Sequence, residues 1–217
     1  IGMSFFAVQD ILIKSMAPEA SLMQILFFRG LIGTLLLTIF FYFTGRKISF
    51  SSTFPFIAIL RGFLFFLGFT SYYISLTLIP LAEATSLFFI SPFFMTIFSK
   101  FILKNEVGLY RISAIFVGFI GILLIIKPNF SEFNWAMLLP IFCAATYSLS
   151  MILAKLTSNS DSSFQQTTHI YVSNFIFAAT TSLIAINFFP NVEGNSGIAF
   201  LVRPFDFTNY LFLTYIV

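Results

Sequence analysis

The chain has 217 residues, of which 59% are hydrophobic and 20% aromatic, with 34 phenylalanines and only 9% charged residues. A soluble domain carries about 25% charged residues, so this composition cannot cover a water-exposed surface and excludes a soluble enzyme, a disordered chain and a disulfide scaffold. The net charge of +3 comes from basic residues set between apolar runs; that pattern fits loop bias and excludes a nucleic-acid partner.

In chain order, hydrophobic segments cover roughly 1–16, 22–43, 54–76, 80–103, 108–126, 133–154 and 166–189, and another starts near 207. A helix needs about 20 residues to cross a bilayer core of about 30 Å. Runs such as GILLII (121–126) do not alternate as lipid-facing strands would. The expected fold class is therefore an all-α membrane protein, a multi-span helical bundle. Pro18 ends the first segment, Thr44-Gly45-Arg46-Lys47 the second and Lys127-Pro128-Asn129 the fifth, while Pro80 sits at the first turn of the fourth. The third and fourth segments are joined so tightly that they form an antiparallel hairpin. The first segment starts at Ile1 and the last run stops at Val217, so the chain is expected to be part of a longer protein.

Arg46, Lys47, Arg61, Lys100, Lys104, Arg111 and Lys155 fall at the end of the bundle that holds the N-terminus. Lys14, Arg29, Lys127 and Arg203 fall at the opposite end, with Arg29 inside a segment rather than a loop. The first set defines a basic end, and the positive-inside rule places it, with the N-terminus, in the cytoplasm. A bacterial inner membrane is the expected location, with the lipid bilayer as partner.

A weak internal repeat is present. With an offset of 141, Ile11-Leu12 falls on Ile152-Leu153, Lys14 on Lys155 and Gln24 on Gln165. The offset equals five helices, an odd number, so the second copy enters the membrane upside down. Inverted repeats are the ground plan of many secondary transporters.

Residues 60–128 carry a more specific pattern: Arg61 opening the third segment, Ala82 to Ala84, Ser91-Pro92, the turn Asn105-Glu106, Arg111, Gly118-Phe119-Ile120-Gly121 and Lys127-Pro128. This resembles the EamA-type repeat of the drug/metabolite transporter superfamily. Lys104-Asn105 stands where the family turn usually has Gly before the Glu. The resemblance implies a ten-helix inverted 5+5 repeat, of which about eight helices are present, around a central cavity for a small-molecule substrate. Residues 1–128 would be the first half, with its first helix cut short, and 133–217 an incomplete second half of about two and a half helices. The Leu-Ala-Glu-Ala-Thr wording at 81–85 is similar to members that handle cofactor-like metabolites such as riboflavin or S-adenosylmethionine; an amino-acid-like solute is the other expectation.

Charges in an apolar core cost at least about 2.5–3.5 kcal/mol each, so every one needs a partner or a wet cavity. Asp10 and Lys14 are four apart on one helix face. They read either as a self-neutralised pair or, with Gln9, as lining of the substrate path. Arg29 and Glu83 enter from the opposite end and read as an ion pair between the second and fourth segments, a staple or a substrate anchor. Glu83 is also the candidate proton carrier. Tyr72, Tyr73, Ser91, Tyr147 and Ser150 are the polar candidates for the pocket. Pro92 removes a helical hydrogen bond near mid-segment and is the hinge candidate. Arg61 is expected to reach inner-leaflet phosphates, His169 to be structural, Trp135 to anchor at the interface, and Gly62, Gly68, Gly118 and Gly121 to allow close helix contact.

No GxxxxGK[ST] motif occurs, and one histidine and one cysteine, Cys143, give no metal or cofactor set. The expectation is a transporter without cofactor or metal, and no catalytic residues. A membrane-embedded enzyme and a seven-helix receptor or structural bundle are the alternatives.

Overall fold

The computed structural model describes residues 2–18, 20–45, 52–126, 134–188 and 197–205. Its helices are α1 (Gly2–Met16), α2 (Leu22–Thr44), α3 (Pro55–Leu78), α4 (Leu81–Phe88), α5 (Ser91–Ile102), α6 (Leu109–Ile126), α7 (Leu138–Leu156), α8 (Ser163–Phe188) and α9 (Gly197–Val202). Among the described residues there is no strand. A 3-10 turn, Trp135–Met137, leads into α7, and the Asn134 side chain closes its start by accepting from the Ala136 N–H at 2.9 Å.

Among the described residues, four stretches are long and apolar enough to cross a membrane: Leu22–Thr44, Pro55–Leu78, Leu81–Ile102 and Trp135–Leu156. Large apolar side chains stand on the outside of the bundle, among them Phe43, Phe56, Val117, Leu124 and Leu183. Such a coat is unstable in water and suited to lipid. The protein is an integral membrane bundle of helices.

The helix ends follow the local chemistry. Gly45 closes α2 in the left-handed region (φ 63°), where glycine carries no Cβ penalty, and returns its N–H to the last turn. Pro55 starts α3 in the first turn, where its missing N–H costs nothing. The single helix expected over 80–103 is two helices. Pro92 has no N–H to offer the Phe88 carbonyl and its ring collides there. Accordingly α4 stops at Phe88, Phe89 and Ile90 form a turn, and α5 restarts at Ser91. The connection expected over 189–206 contains α9, a helix too short to register against its Pro- and Gly-containing surroundings.

α3 is the hub. It packs along α7 and α8 and touches α1 and α9, while α2 lies along α8. Lipid supplies no hydrophobic drive between helices, so approach depends on small residues. A Cβ on Gly68 would collide with Thr146 of α7, and one on Gly62 with Ser173 of α8. A Cβ on Gly30 would come within 2.8 Å of the Tyr171 carbonyl, and one on Gly33 within 2.6 Å of the Tyr171 ring. Gly118 and Gly121 have open space instead, so α6 does not use them for contact among the described residues. Hydroxyls stitch the α7 side: Ser148 Oγ donates to the Ser91 carbonyl at 2.8 Å and Ser150 Oγ to the Arg61 carbonyl at 3.2 Å.

Arg61 is 2% exposed, which overturns the expected reach to lipid phosphates. Trp135 is exposed, as an interface residue would be. Arg46, Lys47, the Lys127-Pro128 pair and the segment starting near 207 lie outside the described residues, as does the Arg111 side chain.

Candidate functional site

Three helices bring polar side chains together in the half of the bundle away from the basic end. α1 supplies Gln9 and Asp10, α2 supplies Arg29, and α3 supplies Tyr72 and Tyr73. Tyr73 is fully buried and is the node. Its phenol oxygen accepts from Gln9 Nε2 at 2.6 Å and from Arg29 Nη1 at 2.9 Å, which occupies both of its lone pairs. Next to it, Tyr72 Oη donates to Asp10 Oδ2 at 3.2 Å. One cation and one anion thus enter the membrane interior in neighbouring positions, each hydrogen-bonded by a tyrosine rather than in direct contact with the other. This arrangement lowers the cost of both charges and leaves Arg29 with N–H groups to spare.

Arg29 also borders a cavity. It measures about 270 Å³ and is lined by Gln9, Leu12, Ile13, Arg29, Gly33 and Tyr171, with further apolar residues of α1 and α2. Its polar groups are few and convergent on an otherwise apolar wall, the usual constitution of a small-molecule site. On the other side of the tyrosine pair is a wall of rings. Tyr72 lies 5.7 Å from Phe88, centroid to centroid, and Phe88 lies 5.5 Å from Tyr147. Phe69 touches Tyr72, Tyr73 and Tyr147.

Of the residues singled out in the sequence, Gln9, Asp10, Arg29, Tyr72 and Tyr73 meet in one network, and Tyr147 joins through its ring. The others do not. Lys14 does not pair with Asp10; its Nζ donates to the Ile79 carbonyl at 3.1 Å, fastening α1 to the C-terminal end of α3, where a cation is favoured. Arg29 does not pair with Glu83. Matching depth does not fix the direction in which a helix presents a side chain, and Arg29 turns toward α1 and α3. Glu83 sits in the first turn of α4, a position that suits an anion. Ser91 and Ser150 belong to the α5–α7 and α3–α7 seams. Tyr171 was missed: on α8 it faces the cavity because Gly30 and Gly33 let α8 come close, and the Gly-Leu-Ile-Gly run at 30–33 is the signal for that approach.

The profile of the EamA-like transporter family matches residues 1–127. The chain belongs to the EamA-like transporter family. Among curated relatives, the S-adenosylmethionine uptake transporter of Rickettsia prowazekii (strain Madrid E) is 30% identical over 149 residues, 69% of this chain and 50% of that protein. The pseudopaline exporter CntI of Pseudomonas aeruginosa is 30% identical over 181 residues, 83% of this chain and 61% of that protein. The riboflavin transporter of Vibrio cholerae serotype O1 is 36% identical over 84 residues, 39% of this chain and 28% of that protein. A chain of known crystal structure matches with a TM-score of 0.61 at 18% identity, over 88% of this chain and 73% of its own, a likeness of fold. The chain spans about half the length of the S-adenosylmethionine transporters. The polar network falls wholly inside the EamA-like stretch, whereas Tyr147 and Tyr171 lie beyond it.

Proposed function

We propose that the full-length protein is a secondary transporter, not an enzyme, moving a small metabolite across the bacterial cytoplasmic membrane by alternating access. The observation that carries this reading is the network of Gln9, Asp10, Arg29, Tyr72 and Tyr73 beside a cavity inside membrane-crossing helices. Packing needs no such set, and each charge is expensive at that depth. The relatives named for S-adenosylmethionine uptake, pseudopaline export and riboflavin transport support a small-metabolite cargo.

The spare N–H groups of Arg29 suit an anionic group of the solute, a carboxylate above all, in a fork geometry. The rings of Phe69, Tyr72, Phe88 and Tyr147 suit a flat or apolar body. Amino-acid-like and cofactor-like solutes both carry that combination. Asp10 and Glu83 are the carboxylates available to carry a proton if the carrier is proton-coupled.

We read the architecture as two inverted five-helix halves, with the chain holding residues 1–128 of one and the first part of the other from 133. One contact supports this strongly. α2 and α8 run antiparallel, with Phe41 against Phe164 near one end and Phe27 against Phe175 toward the other. The offset of 141 places Gly30 on Tyr171, and those two residues meet. A pair that maps onto itself is where a two-fold axis in the membrane plane would pass. The seven basic residues at the end holding the N-terminus orient that end to the cytoplasm.

The test is flux in vesicles reconstituted with the full-length protein, using labelled S-adenosylmethionine, riboflavin and amino acids. Saturable uptake of one solute is expected, lost in Arg29→Ala while the melting profile of the detergent-solubilised protein is kept. Uptake that is unchanged in both Arg29→Ala and Tyr73→Phe sinks the site.

A further inference from the structure

The two ends of the bundle are fastened in related ways. At the end away from the N-terminus, Arg203, just after α9, donates from Nη1 to the carbonyls of Ala17 at 3.4 Å, Pro18 at 2.7 Å and Ala20 at 3.1 Å. These carbonyls belong to the α1–α2 connection. At the basic end, Asp161 in the α7–α8 connection accepts from Ser52 Oγ at 2.5 Å and from the Thr53 N–H at 3.1 Å, just before α3. The offset of 141 places Ala20 on Asp161, and Arg203 beside the copy of Arg61. Each tie therefore joins the loop between the first two helices of one half to the third-helix region of the other half: Ser52 and Thr53 lie just before α3, and Arg203 matches Gly62 within it.

The basic end holds one more piece. Arg61 is buried, and its Nε and Nη1 have no hydrogen-bond partner. Asp161 is the nearby anion whose charge it feels, yet Asp161 is engaged by Ser52 and Thr53 instead. Two guanidinium nitrogens without partners are costly to keep buried. Their most economical partner is a carboxylate already in the neighbouring loop.

We propose that the two ties are the gates of the carrier: Arg203 on the α1–α2 carbonyls closes one end, and Asp161 on Ser52 and Thr53 closes the other. Opening of the basic end transfers Asp161 from Ser52 and Thr53 to Arg61. The buried cation is thus the receiving half of a switch. Because both gates bear on α3 and its counterpart, weakening one favours the state in which the other holds. This inference rests on the transporter reading for its purpose, but not for its measurement.

The experiment uses the full-length protein in sealed vesicles, with Cys143→Ala and one reporter cysteine at a time. Ser173→Cys lies behind the basic-end tie, and Met16→Cys lines the cavity near the other. Maleimide labelling is followed from each side. Ser52→Ala, which weakens only the closed position, is expected to raise labelling of the Ser173 reporter about tenfold and to lower that of the Met16 reporter, the change about 1.4 kcal/mol of bias produces. Arg203→Gln is expected to do the reverse, and Asp161→Ala to move the Ser173 reporter less than Ser52→Ala does, since it removes the closed tie and the open position's partner together. Arg61→Gln is expected to lower labelling at Ser173, since the open position loses its partner. Both reporters rising together in each variant, or neither moving, overturns the proposal. Reciprocal labelling in a protein that moves no solute leaves the gates standing and rejects the transporter reading. Solute flux without reciprocity does the opposite.

Discussion

The two sides of α3 are built on different plans. Toward α7 the contact is close: Gly68 admits Thr146, Ser150 holds the Arg61 carbonyl, and Ser148 holds the carbonyl at the start of α5. Toward α1 and α2 the contact is made by long polar side chains around Tyr73, with a cavity of about 270 Å³ beside them. Small residues and short hydroxyl bonds tolerate little displacement. Long side chains meeting at a phenol can exchange partners without separating the helices. The first side is suited to bear load and the second to handle a solute.

The contrast can be broken most severely at Gly68. Gly68→Leu drives a side chain into Thr146 and the Cys143 carbonyl, with a cost of about 1–3 kcal/mol for overpacking or more where backbone must move. A large fall in melting temperature and in folded yield is expected, whatever the solute. Tyr73→Phe attacks the other side. It removes the acceptor shared by Gln9 and Arg29, hydrogen bonds worth about 1.5–3 kcal/mol where a charge is involved. Flux should fall about tenfold or more alongside a moderate fall in melting that is smaller than that of Gly68→Leu; flux left intact in Tyr73→Phe would erase the distinction between the sides. Ser148→Ala removes one hydroxyl bond from the seam, about 1 kcal/mol, and should lower melting slightly while leaving flux intact.

A gentler perturbation is acid. Burial opposes the charge of Asp161, but the hydrogen bonds from Ser52 and Thr53, with His169 nearby, hold its carboxyl below the usual range. A depressed carboxylate stabilises the tie above the ordinary value of about 3.9 and loses that contribution only as pH falls through its own lower value. Labelling of the Ser173 reporter, taken relative to a fully exposed control cysteine at each pH to cancel the thiol's own titration, should therefore stay flat from pH 8 to about 5. A rise beginning near neutrality would mean that a different group holds that end. The smallest effect is expected at Gly118, where Gly118→Ala meets open space and should change neither melting nor flux.

Most helices and their limits were legible from the chain because hydropathy and breaks such as Thr44-Gly45 and Pro80 act locally; the division of the fourth segment into α4 and α5 and the short α9 were not. Asp10 and Arg29 were legible as candidates because charge inside an apolar run is costly wherever it points, and Gln9, Tyr72 and Tyr73 stood among the polar candidates, but not as one set. Their partners were not legible. Spacing of four made Asp10 and Lys14 neighbours on one helix, yet each found a better group on α3, a phenol and a free carbonyl. Arg29 and Glu83 matched in depth, but depth says nothing of azimuth. Tyr171 and the Asp161 tie depend on which helices lie side by side, and that is decided by long-range packing, not by any local run of residues.

The turn at Phe89 and Ile90 divides the fourth span unevenly. The piece on one side has 8 residues and the piece on the other has 12, or about 12 Å and 18 Å at 1.5 Å per residue. Any rotation about that point acts through unequal lever arms. The far tip of α5 sweeps about half as far again as the tip of α4, so a small adjustment beside Tyr72 and Phe88 would be delivered, magnified, at the basic end.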